Sequence, residues 1–194
     1  MTTPTRVLIA EDDAIIRLDL REMLEEEGFE VIEAGDGAVA VALARSERPD
    51  LILLDVKMPV MDGLAAARQL SEERIAPIVI LTAYSQRDLV EQAAHAGAMA
   101  YLIKPFQKHD LLPAIEIARG RYDQIAALEA EVGDLSDRLE ARKVIDRAKG
   151  RLMDERALSE ADSFRLLQRA AMSRRLPMRD VAQMVLDGSF GPED

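Results

Sequence analysis

The sequence predicts a doubly wound α/β domain built on a five-stranded parallel sheet, followed by a helical linker and a small three-helix domain. Three observations predict it. Over the first 120 residues short apolar runs alternate with amphipathic stretches. Three of those runs end abruptly in charged residues. Beyond residue 120 the short runs stop and only helical periodicity remains.

The apolar runs are Val7–Ala10, Val31–Ala34, Leu51–Leu54, Ile78–Leu81 and Ala100–Ile103. Between them lie helical stretches: Ala14–Glu27 closed by Gly28, Ala38–Arg45, Leu64–Glu73, and Arg87–Ala96 closed by Gly97. A fifth helix starts near Asp110, with Pro113 in its first turn, and no further proline interrupts it to about Met153. Gly28 and Gly97 stand where a helix ends in a left-handed residue. Strands this short, separated by helices of about 10 residues, pair in parallel and are covered on both faces.

Composition narrows the function. The chain has no cysteine, which excludes disulfides and thiolate metal sites and favours a cytoplasmic location. No apolar stretch approaches the ~20 residues that span a bilayer, and Met1–Arg6 leads into only four apolar residues, so neither a membrane span nor a secretory leader is expected. Charge is uneven. Residues 1–141 carry 14 Lys or Arg against 27 Asp or Glu, whereas residues 142–180 carry 11 against 6. A basic segment on an acidic protein points either to a polyanionic partner or to a solvated cationic helix face.

The strand ends carry the chemistry. Val7–Ala10 runs into Glu11-Asp12-Asp13, Leu51–Leu54 into Asp55, and Tyr101–Ile103 into Lys104-Pro105. A parallel sheet gathers such ends along one edge. Taken singly, an Asp at a strand end is more often a turn former or cap, Thr82 could cap the next helix, and Tyr101 could be a half-buried strand residue. Taken together, acid, acid and amine make a place for Asp55 to accept a phosphoryl group. Asp62-Gly63 reads as a turn, His95 and His109 as surface residues, and the methionines as core.

This constellation resembles the receiver domain of two-component response regulators over residues 5–120. The resemblance implies a flavodoxin-like sheet of order 2-1-3-4-5 and a sensor histidine kinase as phosphoryl source. Asp55 then matches the phospho-acceptor. Mg2+ would be held by Asp12, Asp55 and the backbone carbonyl of Lys57, with Glu11 acting through water. Thr82 matches the hydroxyl that turns towards the phosphoryl group, and Tyr101 the aromatic that follows it. Lys104 matches the lysine that pairs with the phosphoryl charge, and its bond to Pro105 is expected to be cis. A phosphatase with an aspartate nucleophile usually needs a second aspartate two residues on. This chain has Lys57 there, so no enzyme is expected.

Beyond the first domain, Tyr122, Ile125, Leu128, Val132, Leu135 and Leu139 recur at spacings of three and four. They form a heptad-like seam, interrupted near Gly120 and Gly133, that suits a homodimer when the chain is phosphorylated. Ser159-Glu160-Ala161-Asp162 opens a helix to Ser173, and Leu176-Pro177-Met178 opens another that Gly188 closes. Ala148-Lys149-Gly150-Arg151-Leu152-Met153, Ala161, Arg169-Ala170-Ala171-Met172, Val181-Ala182 and Val185 resemble the ANTAR domain, a family of three-helix RNA-binding antitermination modules. The expected organisation is a receiver domain at 1–120, a linker at 121–143, an ANTAR domain at 124–188 that overlaps the linker helix, and a tail at 189–194.

The whole chain is similar to the phosphorylation-dependent antitermination regulators of actinobacteria. That resemblance implies RNA stem-loops as targets. Arg147, Arg151, Arg169, Arg174 and Arg175 would supply charge, and Ala148, Lys149 and Gly150 would permit close approach. Close helix packing explains Ala148 and Gly150 equally well. Phe164 is the one aromatic in residues 142–180, so no stacking platform is expected. A DNA-binding regulator is the alternative, because the last two helices imitate a helix-turn-helix.

Overall fold

A computed structural model describes residues 4–83 and 87–191, with the side chains of 87–90 excepted. Residues 1–3 and the last three residues of the expected tail lie outside the described residues. The chain divides into two compact units, Met1–Ala126 and Ala127–Asp194.

In the first unit β1 (Arg6–Ala10), β2 (Glu30–Ala34), β3 (Leu51–Asp55), β4 (Ile78–Thr82) and β5 (Ala100–Ile103) form one parallel sheet in the order β2-β1-β3-β4-β5. Helices α1 (Ala14–Glu25), α2 (Gly37–Glu47), α3 (Gly63–Glu72) and α4 (Arg87–His95) connect them, and α5 (Lys108–Arg156) follows. Alternation along each strand divides the core into two layers. Val7, Ile9, Leu51, Leu53, Val79 and Leu81 pack with Leu20 and Leu24 of α1 and Leu111 and Ile115 of α5. Leu8, Ala10, Ile52, Leu54, Ile78 and Ile80 pack with Val41 of α2, Leu64 and Leu70 of α3, and Ala93 of α4. Both faces of the central strands are thus buried, which is why those strands are unbroken apolar runs.

Aspartates start the helices. Asp13, Asp36 and Asp62 each accept a backbone N–H in the first turn of α1, α2 and α3. Gly28 and Gly97 hold φ of 84° and 83°, as the helix ends require. Gly63 answers a different need: a Cβ there would overlap the Asp55 carbonyl oxygen, so only glycine lets α3 begin against the end of β3.

The fifth helix reaches past Met153, as the lack of proline after Pro113 predicts, but it begins before Asp110. It starts at Lys108, so Pro113 falls in its second turn, where it removes the donor that would have bonded the His109 carbonyl. It also runs through Gly120 and Gly133, where a Cβ would meet nothing within 4 Å. Pro113 is tolerated because Leu111, Ala114, Ile115 and Ala118 are locked in the first core. Ile125, Leu128, Val132, Leu135 and Leu139 are all exposed.

The second unit packs the end of α5 with α6 (Glu160–Arg174) and α7 (Met178–Asp187). Ala148, Leu152, Leu167, Ala170, Val181, Ala182 and Val185 form its core. Ser159 accepts the Asp162 N–H at 3.1 Å and donates its hydroxyl to the Asp162 carboxylate at 2.6 Å, closing the start of α6. Pro177 occupies the cap position of α7, and Gly188 ends that helix with φ of 76°. Phe190 packs on this core, so the expected tail is in part structural. The methionines are not uniformly core: Met153 and Met172 are exposed. Among the described residues no helix is long and apolar enough to cross a membrane.

Gly133→Ala is expected to stabilise the helix by about 0.5–1 kcal/mol, because it removes backbone entropy and meets no neighbour. Gly63→Ala is expected to destabilise the first unit by roughly 1–3 kcal/mol through overpacking. Urea unfolding followed by circular dichroism reads both signs.

Candidate functional site

Parallel pairing sets the strand ends level. Ala10 lies beside Leu54, Asp55 beside Leu81, and Thr82 beside Ile103. The residues that follow β1, β3 and β5 therefore meet at one edge of the sheet. Glu11, Asp55 and Thr82 are all buried there, whereas Asp12 is exposed. One carboxylate oxygen from each of Glu11, Asp12 and Asp55 lies within 4.8 Å of the others.

Lys104 reaches this cluster from the end of β5. Its Nζ lies 2.6 Å from Oδ1 of Asp55 and donates to Oε2 of Glu11. The other Asp55 oxygen, Oδ2, accepts the Lys57 backbone N–H at 3.0 Å. The Lys104 backbone N–H donates to the Thr82 carbonyl at 2.7 Å, which fixes where its side chain starts. The Lys104–Pro105 bond is cis. Burial raises the Glu11 carboxyl above its ordinary range, and the Lys104 hydrogen bond pulls only part of the way back. Burial alone would lower Lys104, but its bonds to Asp55 and Glu11 outweigh that and hold the ammonium charged well into the alkaline range.

Two residues absent from the sequence-based set hold the site in place. The Asp13 carboxylate accepts the Ile15 N–H at 2.8 Å and the Ile16 N–H at 3.3 Å, and its backbone N–H donates to Oε1 of Glu11 at 3.3 Å, which ties the start of α1 to the cluster. Arg17 donates to the Glu11 carbonyl at 2.6 Å and to the Glu33 carboxylate at 3.2 Å. Asp13 was readable as an N-cap from its place before α1; Arg17 left no sequence signal. Tyr101 is 45% exposed on β5, beside Ile80 in the sheet register. A depression of about 670 Å3 borders the cluster, lined by Asp12, Lys57, Met58, Asp62, Arg68 and Gln92. Beside it Val60 is strongly exposed with φ of 64°, a conformation that β-branched residues rarely adopt.

The basic residues of the second unit divide into two groups. Ala148 is 0% exposed in the core, which favours helix packing over RNA approach as the reason for its small side chain. Lys149 bridges Asp146 at 2.8 Å and Glu160 at 2.9 Å. Arg151 bonds the Glu155 carboxylate and the Leu186 carbonyl. The Arg174 guanidinium lies 5.8 Å from the Phe190 ring centroid, and Arg156 5.3 Å from the same ring. Arg147, Arg169 and Arg175 are exposed, and Gly150 is half-buried with open space where a Cβ would stand.

Comparison with known proteins agrees with this division into units. The response regulator receiver domain family matches residues 7–116, and the ANTAR domain family matches residues 133–186. The chain is 58% identical to the transcriptional regulatory protein PdtaR of Mycobacterium tuberculosis, over 98% of this chain and 94% of that one. It is 31% identical to the DNA-binding response regulator MtrA of the same organism, over 100% of this chain and 82% of that one. Among solved structures, a CheY-like receiver domain protein from Methanospirillum hungatei matches with a TM-score of 0.59 and 29% identity. That match covers 63% of this chain and 98% of the other.

Replacing Lys104 tests the electrostatics. Lys104→Met leaves two buried carboxylates without their cation, which is expected to cost roughly 3 kcal/mol at pH 7. Glu11, raised by burial, would then bind its proton more tightly folded than unfolded, so the deficit shrinks as pH falls. Denaturation midpoints at pH 7 and pH 5 measure this. The paired domain matches and the near full-length relative place the chain in a regulatory, non-enzymatic family: it belongs to the response regulators in which a receiver domain is followed by an ANTAR domain.

Proposed function

We propose that a sensor histidine kinase phosphorylates this chain on Asp55, and that the phosphorylated chain controls transcription antitermination by binding RNA stem-loops. The observation that carries the proposal is Asp55 at the sheet edge, with a lysine ammonium 2.6 Å from one oxygen and two further carboxylates alongside. An Asp55 oxygen forms the new bond to phosphorus as the bond between phosphorus and the donor imidazole breaks. An aspartate is a weak nucleophile, so catalysis rests on charge already in place.

The donors at the cluster are all hard oxygens, which fits Mg2+. Asp12, Asp55 and the Lys57 carbonyl would hold the ion, with Glu11 acting through water, and the bound ion would offset charge on the transferring phosphoryl oxygens. The Lys104 ammonium pairs with the product charge, and the Thr82 hydroxyl adds a hydrogen bond. Ile15 and Val60, both strongly exposed and close in sequence to the acidic strand ends, offer the kinase apolar contacts.

Phosphorylation adds roughly −1.5 to −2 charges at Asp55. Thr82 and Tyr101 respond, and the exposed seam from Ile125 to Leu139 pairs two chains. A homodimer holds two RNA loops at once and gains avidity without new contacts. Arg147, Arg169 and Arg175 hold the RNA backbone, with Lys149, Gly150, Arg151 and Arg174 beside them. The location is cytoplasmic. The likeness to MtrA supplies a second reading, DNA binding. Against it, α7 has Arg179 as its one exposed cation, beside Asp180, and the other exposed cations of this unit lie on α5, along α6 and at its C-cap.

A gel-shift titration with a paired hexaloop RNA and a matched DNA duplex, with and without phosphoryl donor, tests the proposal. RNA binding should strengthen with donor and lose that gain in Asp55→Ala, while DNA stays weak. Arg169→Ala and Arg175→Ala should each lower the salt slope by about 1. Tight binding by unphosphorylated Asp55→Ala would break the link between site and output.

A further inference from the structure

Helix α6 turns one side to its core and shows an unusual set of groups on the other. Ser163, Leu167, Ala170 and Ala171 are buried. Ala161, Phe164, Arg165, Gln168, Arg169 and Met172 are exposed. Met172 is 74% exposed and Phe164 42%, so neither is needed whole by the three-helix core. A solvated helix face normally carries only polar residues there.

The charges around this face select what covers it. Arg165 and Arg169 lie on it with no acid between them. The acids of the first turn are engaged: Glu160 with Lys149 at 2.9 Å, and Asp162 with the Ser159 hydroxyl at 2.6 Å and Arg165 at 3.2 Å. A second copy packed about a two-fold axis through Arg165 and Arg169 would set this pair against its own image. A ligand with flat apolar rings and a negative backbone meets aromatic, thioether and guanidinium groups with groups of its own that match them.

We infer that the exposed face of α6 is a base-stacking surface, on which Phe164 and Met172 receive unpaired RNA bases while Arg165 and Arg169 hold the adjoining phosphates. The two apolar side chains are eight residues apart, about 12 Å along the helix, room for more than one base. This inference rests on the RNA reading above and deepens it. It also supplies the stacking contact that composition alone denies the domain, because one half-exposed phenylalanine beside two arginines serves where a row of aromatics is absent.

The chain contains no tryptophan, so Phe164→Trp introduces its sole indole. Adding a paired hexaloop RNA to the phosphorylated variant should quench that fluorescence, and the same stem closed by an abasic loop should not. Phe164→Leu should weaken hexaloop binding on the order of tenfold with an unchanged salt slope, and Phe164→Tyr should restore it. Arg169→Gln should instead lower the salt slope by about 1. If phosphorylated wild type binds the RNA while the indole stays unquenched and Phe164→Leu binds equally well, the stacking surface is refuted and RNA binding stands. If wild type binds no RNA, both readings fall.

Discussion

The Lys104 ammonium, held between the carboxylates of Glu11 and Asp55, is the contact on which the first unit depends. Two acids buried side by side at a sheet edge repel each other and lose hydration, and a cation must be brought to them. Three non-adjacent chain segments supply the parts. The parallel register of β1, β3, β4 and β5 is what brings their ends level. Gly63 lets α3 start hard against Asp55, and Arg17 ties the Glu11 backbone. Each oxygen of the two carboxylates has a partner: Lys104 takes one from each, and the Asp13 and Lys57 backbone N–H groups take the others. A new anion on Asp55 would compete for the same ammonium, which gives a local chemical event leverage over the strand ends around it.

The sheet was legible because each central strand is buried on both faces and so reads as an unbroken apolar run. The acidic pair, Asp55 and Lys104 were legible because they interrupt those runs at equivalent positions. Asp13 was within reach of the same rules, since an aspartate directly before a helix is an ordinary cap. The length of α5 was legible from the absence of proline after Pro113, but its first turn was not, because Lys108 and His109 carry no apolar signal. Arg17 could not be found either, because its partner at Glu11 is a backbone carbonyl, which no side-chain pattern reveals.

In the second unit, composition misled in two instructive ways. Counting cations treats all arginines and lysines as equal, yet Lys149, Arg151 and Arg174 are committed to contacts within the unit, whereas Arg147, Arg169 and Arg175 face solvent. Assigning methionines to the core fails at Met172, next to buried Ala171 on the helix, where a step of one residue turns the side chain outward. Ala148, for which RNA approach and packing were both open, is buried in the core. Each case is decided by which arc of a helix faces the core, and residue type alone does not decide it.

The central claim is that Asp55 is the phosphoryl acceptor, and mass spectrometry tests it most directly. The chain would be incubated with a phosphoryl donor and Mg2+, and its mass and peptides read before and after hydroxylamine. The predicted result is a single phosphoryl adduct on the peptide containing Asp55, cleaved by hydroxylamine and absent from Asp55→Asn. An adduct that survives hydroxylamine, or one that maps to another residue and persists in Asp55→Asn, would contradict it.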